Sequence, residues 1–117
     1  MDEARNYLPA GRAIVQGDYL NSDDGNFSLQ VSHDGKITVM NNSRKMIHFQ
    51  VNKFPRSINP PFYLRLEHTG EFISIDATGK SYYSSGKMKG KPPYKLVMQN
   101  DGKISVHDSE KPIWFSH

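Results

Sequence analysis

Between Tyr94 and Asp108 the sequence reads YKLVMQNDGKISVHD, and its odd-numbered positions hold the side chains best suited to chemistry. Gln99, Asp101, Lys103, Ser105 and His107 recur at every second residue, with Lys95 ahead of them and Val97 as the apolar exception. Residues two apart on a strand share one face, so these side chains would form a row of hydrogen-bond donors and acceptors. Such a row can hold a ligand, but it carries no sign of bond breaking. There is no Gly-x-Ser-x-Gly, no phosphate loop and no dinucleotide fingerprint. The acidic residues fall largely on turns and outward faces, not in a facing carboxylate pair. His33, His48, His68, His107 and His117 make no close His-x-His or His-x-x-x-His pair, and cysteine is absent. No metal or other cofactor is expected, and the chain reads as a non-enzyme.

The row needs strands to carry it. Tyr94, Leu96, Met98, Ile104 and Val106 alternate with the polar positions and would point inward, while Asn100-Asp101-Gly102 marks a tight turn between two strands. The same arrangement occurs twice upstream. FSLQVSHDGKITV, from Phe27 to Val39, places Phe27, Leu29, Val31, Ile37 and Val39 inward, and FYLRLEHTGEF, from Phe62 to Phe72, places Phe62, Leu64, Leu66 and Phe72 inward. Gly35, Gly70 and Gly102 lie roughly 35 and 32 residues apart, within the range of internal repeats. About a dozen residues past each glycine comes a cluster: Ile47-His48-Phe49, Tyr82-Tyr83 and Ile113-Trp114-Phe115. A single hairpin cannot bury one face by itself, whereas three packed about a pseudo-threefold axis can.

A chain of 117 residues is one domain by length, residues 1–117, and can bury a core without covalent staples. Hydrophobic content of 36% beside 11% aromatic suits a thin all-β core closed by large rings. No stretch has sustained helical periodicity. Met1 to Leu8 reads as an irregular start and Pro9-Ala-Gly11 as a turn. Lys53 to Pro61, with three prolines, reads as a linker between the first two units. The loop from Ser85 to Pro93 carries Lys87, Lys89 and Lys91, which fits either a solvated loop or a contact with an acidic partner. A net charge of +3 falls short of a dedicated nucleic-acid binder, and no apolar segment could insert in a membrane or serve as a signal peptide. Cytoplasmic residence, or release by a route without a signal, is the expectation.

GDYLNSDDGNFSLQVSHDGKI and YKLVMQNDGKISVHDSEKPIWFS resemble the monocot mannose-binding lectins, the bulb-type or snowdrop-type family with relatives in fish and fungi. The resemblance covers about Leu8 to Ser116, and its strongest parts are the glycine hairpins, their threefold repetition and the closing Pro-Ile-Trp-Phe-Ser. It implies an all-β fold, a type II β-prism of three four-stranded antiparallel sheets with pseudo-threefold symmetry, with Trp114 among the core rings. Threefold hairpins would also suit a β-trefoil, though a trefoil usually needs a longer chain. Members of the family carry a sugar motif, Gln-x-Asp-x-Asn-x-Val-x-Tyr, on each repeat. Here the third repeat gives Gln99, Asp101, Lys103, Ser105 and His107, matching at the first two positions. The first gives Ser32, Asp34, Lys36, Thr38 and Met40, matching at the aspartate. The second gives Glu67, Thr69, Glu71, Ile73 and Ile75, keeping only an aliphatic side chain in place of valine.

The resemblance implies glycans or glycoproteins as partners, with carbohydrate bound by the third-repeat residues and by Ser32, Asp34 and Lys36. Lys36 and Lys103 both stand where the family has asparagine, and a lysine donates hydrogen bonds without accepting them. An acidic sugar therefore stands beside mannose as a candidate ligand. The alternative is a sugar-inactive scaffold that meets proteins or acidic surfaces through Lys80–Lys95. Family members often exchange the C-terminal strand, which here implies a possible homodimer through Ile113–Phe115.

Overall fold

The computed structural model describes residues 6–51 and 59–116. Apolar alternation sets the strands: β1 Tyr7–Pro9, β2 Ala13–Val15, β3 Tyr19–Asn21, β4 Phe27–Val31, β5 Ile37–Asn41, β6 Met46–Gln50, β7 Tyr63–Leu66, β8 Phe72–Ile75, β9 Ser81–Ser84, β10 Lys95–Met98, β11 Ile104–His107 and β12 Pro112–Phe115. Among the described residues there is no helix. The strands form three four-stranded antiparallel sheets, each a meander flanked by one short strand: β1-β10-β11-β12, β2-β7-β8-β9 and β3-β4-β5-β6. They are referred to below as the third, second and first sheet, after the repeat each contains. The architecture is the β-prism.

The core is built from equivalent positions. Leu29, Leu64 and Leu96 occupy the same place on β4, β7 and β10, and each is fully buried. Truncating any one to alanine would cost about 2–5 kcal/mol, the range for a leucine that leaves a cavity. Phe49, Tyr83 and Trp114 are likewise equivalent, lying opposite Val39, Ser74 and Val106. Trp114 packs edge-on against Phe72 with ring centres 5.3 Å apart, so it does join the core rings. Tyr82 and Tyr83 both serve packing: Tyr82 meets Phe62 at 5.9 Å and Tyr83 meets Phe72 at 6.1 Å.

The three glycine turns share one hydrogen-bond pattern. Gly35, Gly70 and Gly102 donate to Ser32, Glu67 and Gln99 at 2.9, 3.0 and 3.2 Å, while those residues donate to Lys36, Glu71 and Lys103. Each glycine has φ between +83° and +87°, a left-handed conformation that a side chain would strain. Each also backs onto the next sheet. A Cβ on Gly102 would lie 2.6 Å from His48 Nε2, one on Gly35 would lie 2.9 Å from the Tyr82 hydroxyl, and one on Gly70 would lie 2.9 Å from Tyr94. The third sheet thus leans on the first, the first on the second and the second on the third.

Tyr7–Pro9 is a strand, not an irregular start: Leu8 pairs with Leu96 and is buried because β10 lies beside it. Of the proposed linker, residues 53–58 lie outside the described residues. Its end is anchored, with the Ala77 N–H donating to the Asn59 carbonyl at 2.8 Å.

Candidate functional site

The polar row forms on the outer face of the third sheet, with different roles for its members. Ser105 is completely buried and touches no solvent. It acts instead as a strut between neighbours, accepting from Gln99 Nε2 at 2.9 Å and lying 3.0 Å from His107 Nε2. Gln99 and His107 are half-buried, and Asp101 and Lys103 are exposed. Asp101 turns back on the hairpin and accepts the Lys103 backbone N–H at 3.0 Å. Among the described residues, Lys103 makes no ion pair.

Burial pushes the His107 imidazole below its ordinary value; the Lys95 ammonium adds to this and Asp108 opposes it. The ring is therefore neutral at neutral pH, and one nitrogen accepts. Since the Gln99 amide already donates to Ser105 Oγ, the serine O–H can donate a hydrogen bond to His107 Nε2 when the neutral imidazole carries its proton on Nδ1. An amide carbonyl at one end and an N–H donor at the other then remain for a ligand.

An apolar band crosses the row. Ser105 pairs with Val97 on one side and with Phe115 on the other, and Val97 pairs with Tyr7. Paired residues share a face, so Tyr7, Val97 and Phe115 flank the polar strut. Phe115 is 44% exposed, and Lys95 Nζ stands 5.3 Å from the centre of the Tyr7 ring. Sequence pattern alone puts Phe115 in a terminal cluster and in the strand open to exchange, and Tyr7 in an irregular start, with neither residue on the outer face. The signal that locates Phe115 is the register of β12: with Trp114 opposite Val106 and inward, its neighbour must face out.

Ser32, Asp34 and Lys36 belong to a different sheet, and the fold does not bring them to the third-sheet row. They satisfy one another. Ser32 donates its hydroxyl to Asp34, and Lys36 Nζ lies 3.6 Å from the same carboxylate. The Ser32 hydrogen bond holds the Asp34 carboxyl below the usual range, and Lys36 contributes in the same direction. Thr38 is buried and accepts from Gln50 Nε2 at 2.9 Å. In the second sheet, Arg65 clasps Glu67 through two hydrogen bonds of 3.0 and 3.1 Å, and Ser84 donates to Glu71. Ile73 and Ile75 fill the rest of that face and are buried. The polar groups of that face are thus paired with one another.

The basic loop is tied down along its length: the Met88 N–H donates to the Thr69 carbonyl, the Tyr94 hydroxyl to the Gly90 carbonyl and the Ser109 N–H to the Lys91 carbonyl. Asp108 accepts from the backbone N–H groups of Glu110, Lys111 and Lys91, and these bonds lower its carboxyl below the ordinary value. Lys91 Nζ lies 3.5 Å from Glu110, while Lys87 and Lys89 are exposed. Among the described residues no group of three or more His, Asp or Glu side chains could hold a metal ion, and no helix could cross a membrane.

No protein-family model matches the sequence, and no curated protein shows significant similarity to it. Solved structures are nevertheless similar over almost the whole chain. A lectin of the fungus Marasmius oreades superposes with a TM-score of 0.80 at 24% identity, covering 97% of this chain and 91% of that one. Monomeric mannose-binding lectins of Gastrodia elata give 0.79 at 18% identity, covering 95% and 96%. The mannose-specific agglutinin of snowdrop, Galanthus nivalis, solved with methyl-α-D-mannoside, gives 0.76 at 16% identity, covering 91% and 92%. The chain has the fold of the monocot mannose-binding lectins.

Proposed function

We propose that this protein is a carbohydrate-binding domain whose working site is the outer face of the third sheet. The observation that carries the reading is the linked trio Gln99, Ser105 and His107, beside exposed Asp101 and Lys103 and the ring of Phe115. A pyranose offers hydroxyls around its edge and C–H groups on its faces. The trio supplies an acceptor and a donor at fixed separation, and the exposed ring of Phe115 supplies the apolar contact. The site binds without catalysis, taking a mannose-type or acidic sugar. The first and second sheets, whose equivalent residues are paired internally or are apolar, do not contribute.

Binding at one such site is weak. A millimolar contact amounts to only about 4 kcal/mol, so avidity matters. Exchange of β12 between two chains would provide it, because a partner's strand can make the same hydrogen bonds to β11 that the chain's own strand makes. Light scattering coupled to size exclusion would return twice the 13.3 kDa chain mass if exchange occurs.

The test of the site is protein-observed NMR, with methyl α-mannoside, a mannobiose and a sialylated sugar titrated into labelled protein. Shifts confined to Gln99–His107 and Phe115 are expected. Absence of shifts with every sugar, on a folded protein, would refute the reading and direct attention to protein partners of the Lys80–Lys95 loop.

A further inference from the structure

The first and third sheets carry the same Asp-Gly-Lys tripeptide in the same turn, yet the two lysines meet different surroundings. Lys36 is half-buried and sits 3.6 Å from Asp34. Lys103 is exposed, and Asp101 accepts its backbone N–H in place of its ammonium. The difference starts at the residue two before the aspartate. Ser32 is short enough to donate directly to Asp34 within the turn. Gln99 is longer and reaches across to Ser105 instead. An exposed ammonium without an ion pair stands beside the trio in the third sheet, whereas its counterpart in the first sheet is neutralised.

Lys95 stands at the other end of the same face, paired in register with His107. Its ammonium rests near the Tyr7 ring, which attracts a cation without cancelling its charge. Asp108, the residue that follows His107, is buried and occupied by three backbone N–H groups. The face therefore has a cation at each end and one exposed carboxylate, Asp101. A neutral hydroxyl needs partners that both donate and accept. Lysine only donates, and it suits a carboxylate or a sulfate.

We propose that the third-sheet site selects glycans bearing an anionic group, with Lys103 as the residue that receives the anion. The proposal rests on the carbohydrate-binding reading above and names the ligand class for that same site. The sugar ring lies against Phe115, its hydroxyls meet Gln99 and His107, and the carboxylate or sulfate meets Lys103.

Three matched ligands test it by NMR titration at low ionic strength: methyl α-mannoside, the corresponding methyl mannuronate, and mannose 6-sulfate. At least one anionic sugar is expected to bind about tenfold more tightly than the neutral one, the size of one charge-assisted contact. Whichever anionic sugar gains shows whether the site prefers carboxylate or sulfate. Lys103→Gln should remove most of that gain, while Lys89→Gln, an equal charge change on the loop, should leave it intact. Equal affinities for all three ligands would overturn the anion selectivity and leave the carbohydrate reading standing. Equal losses from the two lysine variants would overturn Lys103 as the anchor. No binding of any ligand to the folded protein would overturn both readings.

Discussion

The hairpins of the first and third sheets are the same object built twice, and one is closed while the other is open. Both have the turn hydrogen bonds, the left-handed glycine, the aspartate and the lysine. In the first, Ser32, Asp34 and Lys36 form a self-sufficient knot, and Thr38 is covered by Gln50. In the third, the corresponding groups reach sideways along the sheet, and Phe115 stands where the first sheet has Gln50. One side chain two residues before an aspartate decides whether a turn spends its polar groups internally or offers them. Fold and site are therefore separable: the turn is kept whether or not the surface is.

The sharpest way to break the comparison is to attack the shared turn. Gly102→Ala adds left-handed strain and drives a Cβ to 2.6 Å from His48 Nε2, so a loss of about 3 kcal/mol is expected in urea unfolding. Gly25→Ala, whose Cβ would meet nothing within 4 Å, should cost only the backbone strain, about 1 kcal/mol. Equal losses would mean that the seam between sheets contributes nothing.

A second experiment converts the open turn into the closed one. Gln99→Ser should let the short hydroxyl bind Asp101, release Ser105 and His107, and draw Lys103 toward the carboxylate. Sugar affinity is expected to fall about tenfold, the worth of one or two hydrogen bonds, with stability nearly unchanged. Retained affinity in the titration would show that the trio is not the recognition element.

A third concerns protons. The imidazole of His107 titrates below its ordinary 6.5 because it is partly buried and lies near Lys95, with Asp108 opposing. Above that point the ring is neutral. As the pH falls from 7 through that lowered value, a cation joins Lys95 and Lys103, so binding of a sulfated sugar should strengthen several-fold. Asp108, whose carboxyl is held below its ordinary value by three backbone N–H groups, keeps its charge in that range. His107→Phe should flatten the profile, and a pH-independent wild type would count against any role for the ring in meeting charge.

The smallest effect lies in the closed turn. Asp34→Asn removes an exposed ion pair and should cost about 0.5 kcal/mol at neutral pH. The Asp34 carboxyl is depressed in the fold, so its stabilisation is present above the ordinary 3.8 and is lost as the pH falls through its lower folded value. Wild type and variant should therefore converge in stability as the pH drops below about 3.8, as acid unfolding curves would record.

Much of the fold was legible in the sequence because period-two alternation and glycine turns are local signals. Phe27 to Val39 and Tyr94 to Val106 announce hairpins without any knowledge of their neighbours. β1 was not legible, since Tyr7–Pro9 is a short edge strand whose burial depends on distant β10. The row lies on one face, as the alternation implies, but the burial of Ser105 was hidden: the residue sits between Val97 and Phe115 of the neighbouring strands and bonds to Gln99 and His107. Nor could the sequence separate Lys36 from Lys103, because the tripeptides are identical and the choice of partner is made outside them. Phe115 needed the register across the β12 irregularity at Val106 and His107.

The segment from Tyr7 to Asn21 gives one strand to each sheet, β1 to the third, β2 to the second and β3 to the first. Their partners emerge from synthesis in the opposite order. β3 meets β4 almost at once, β2 waits for β7, and β1 waits for β10, with nearly the whole described chain between them. Closing the longest loop carries the largest entropic cost, though that cost grows only slowly with length. On the ribosome the first sheet, with its closed turn, can form early, and the sheet that carries the open turn completes last. The face proposed to bind sugar is thus withheld until the rest of the prism exists to support it.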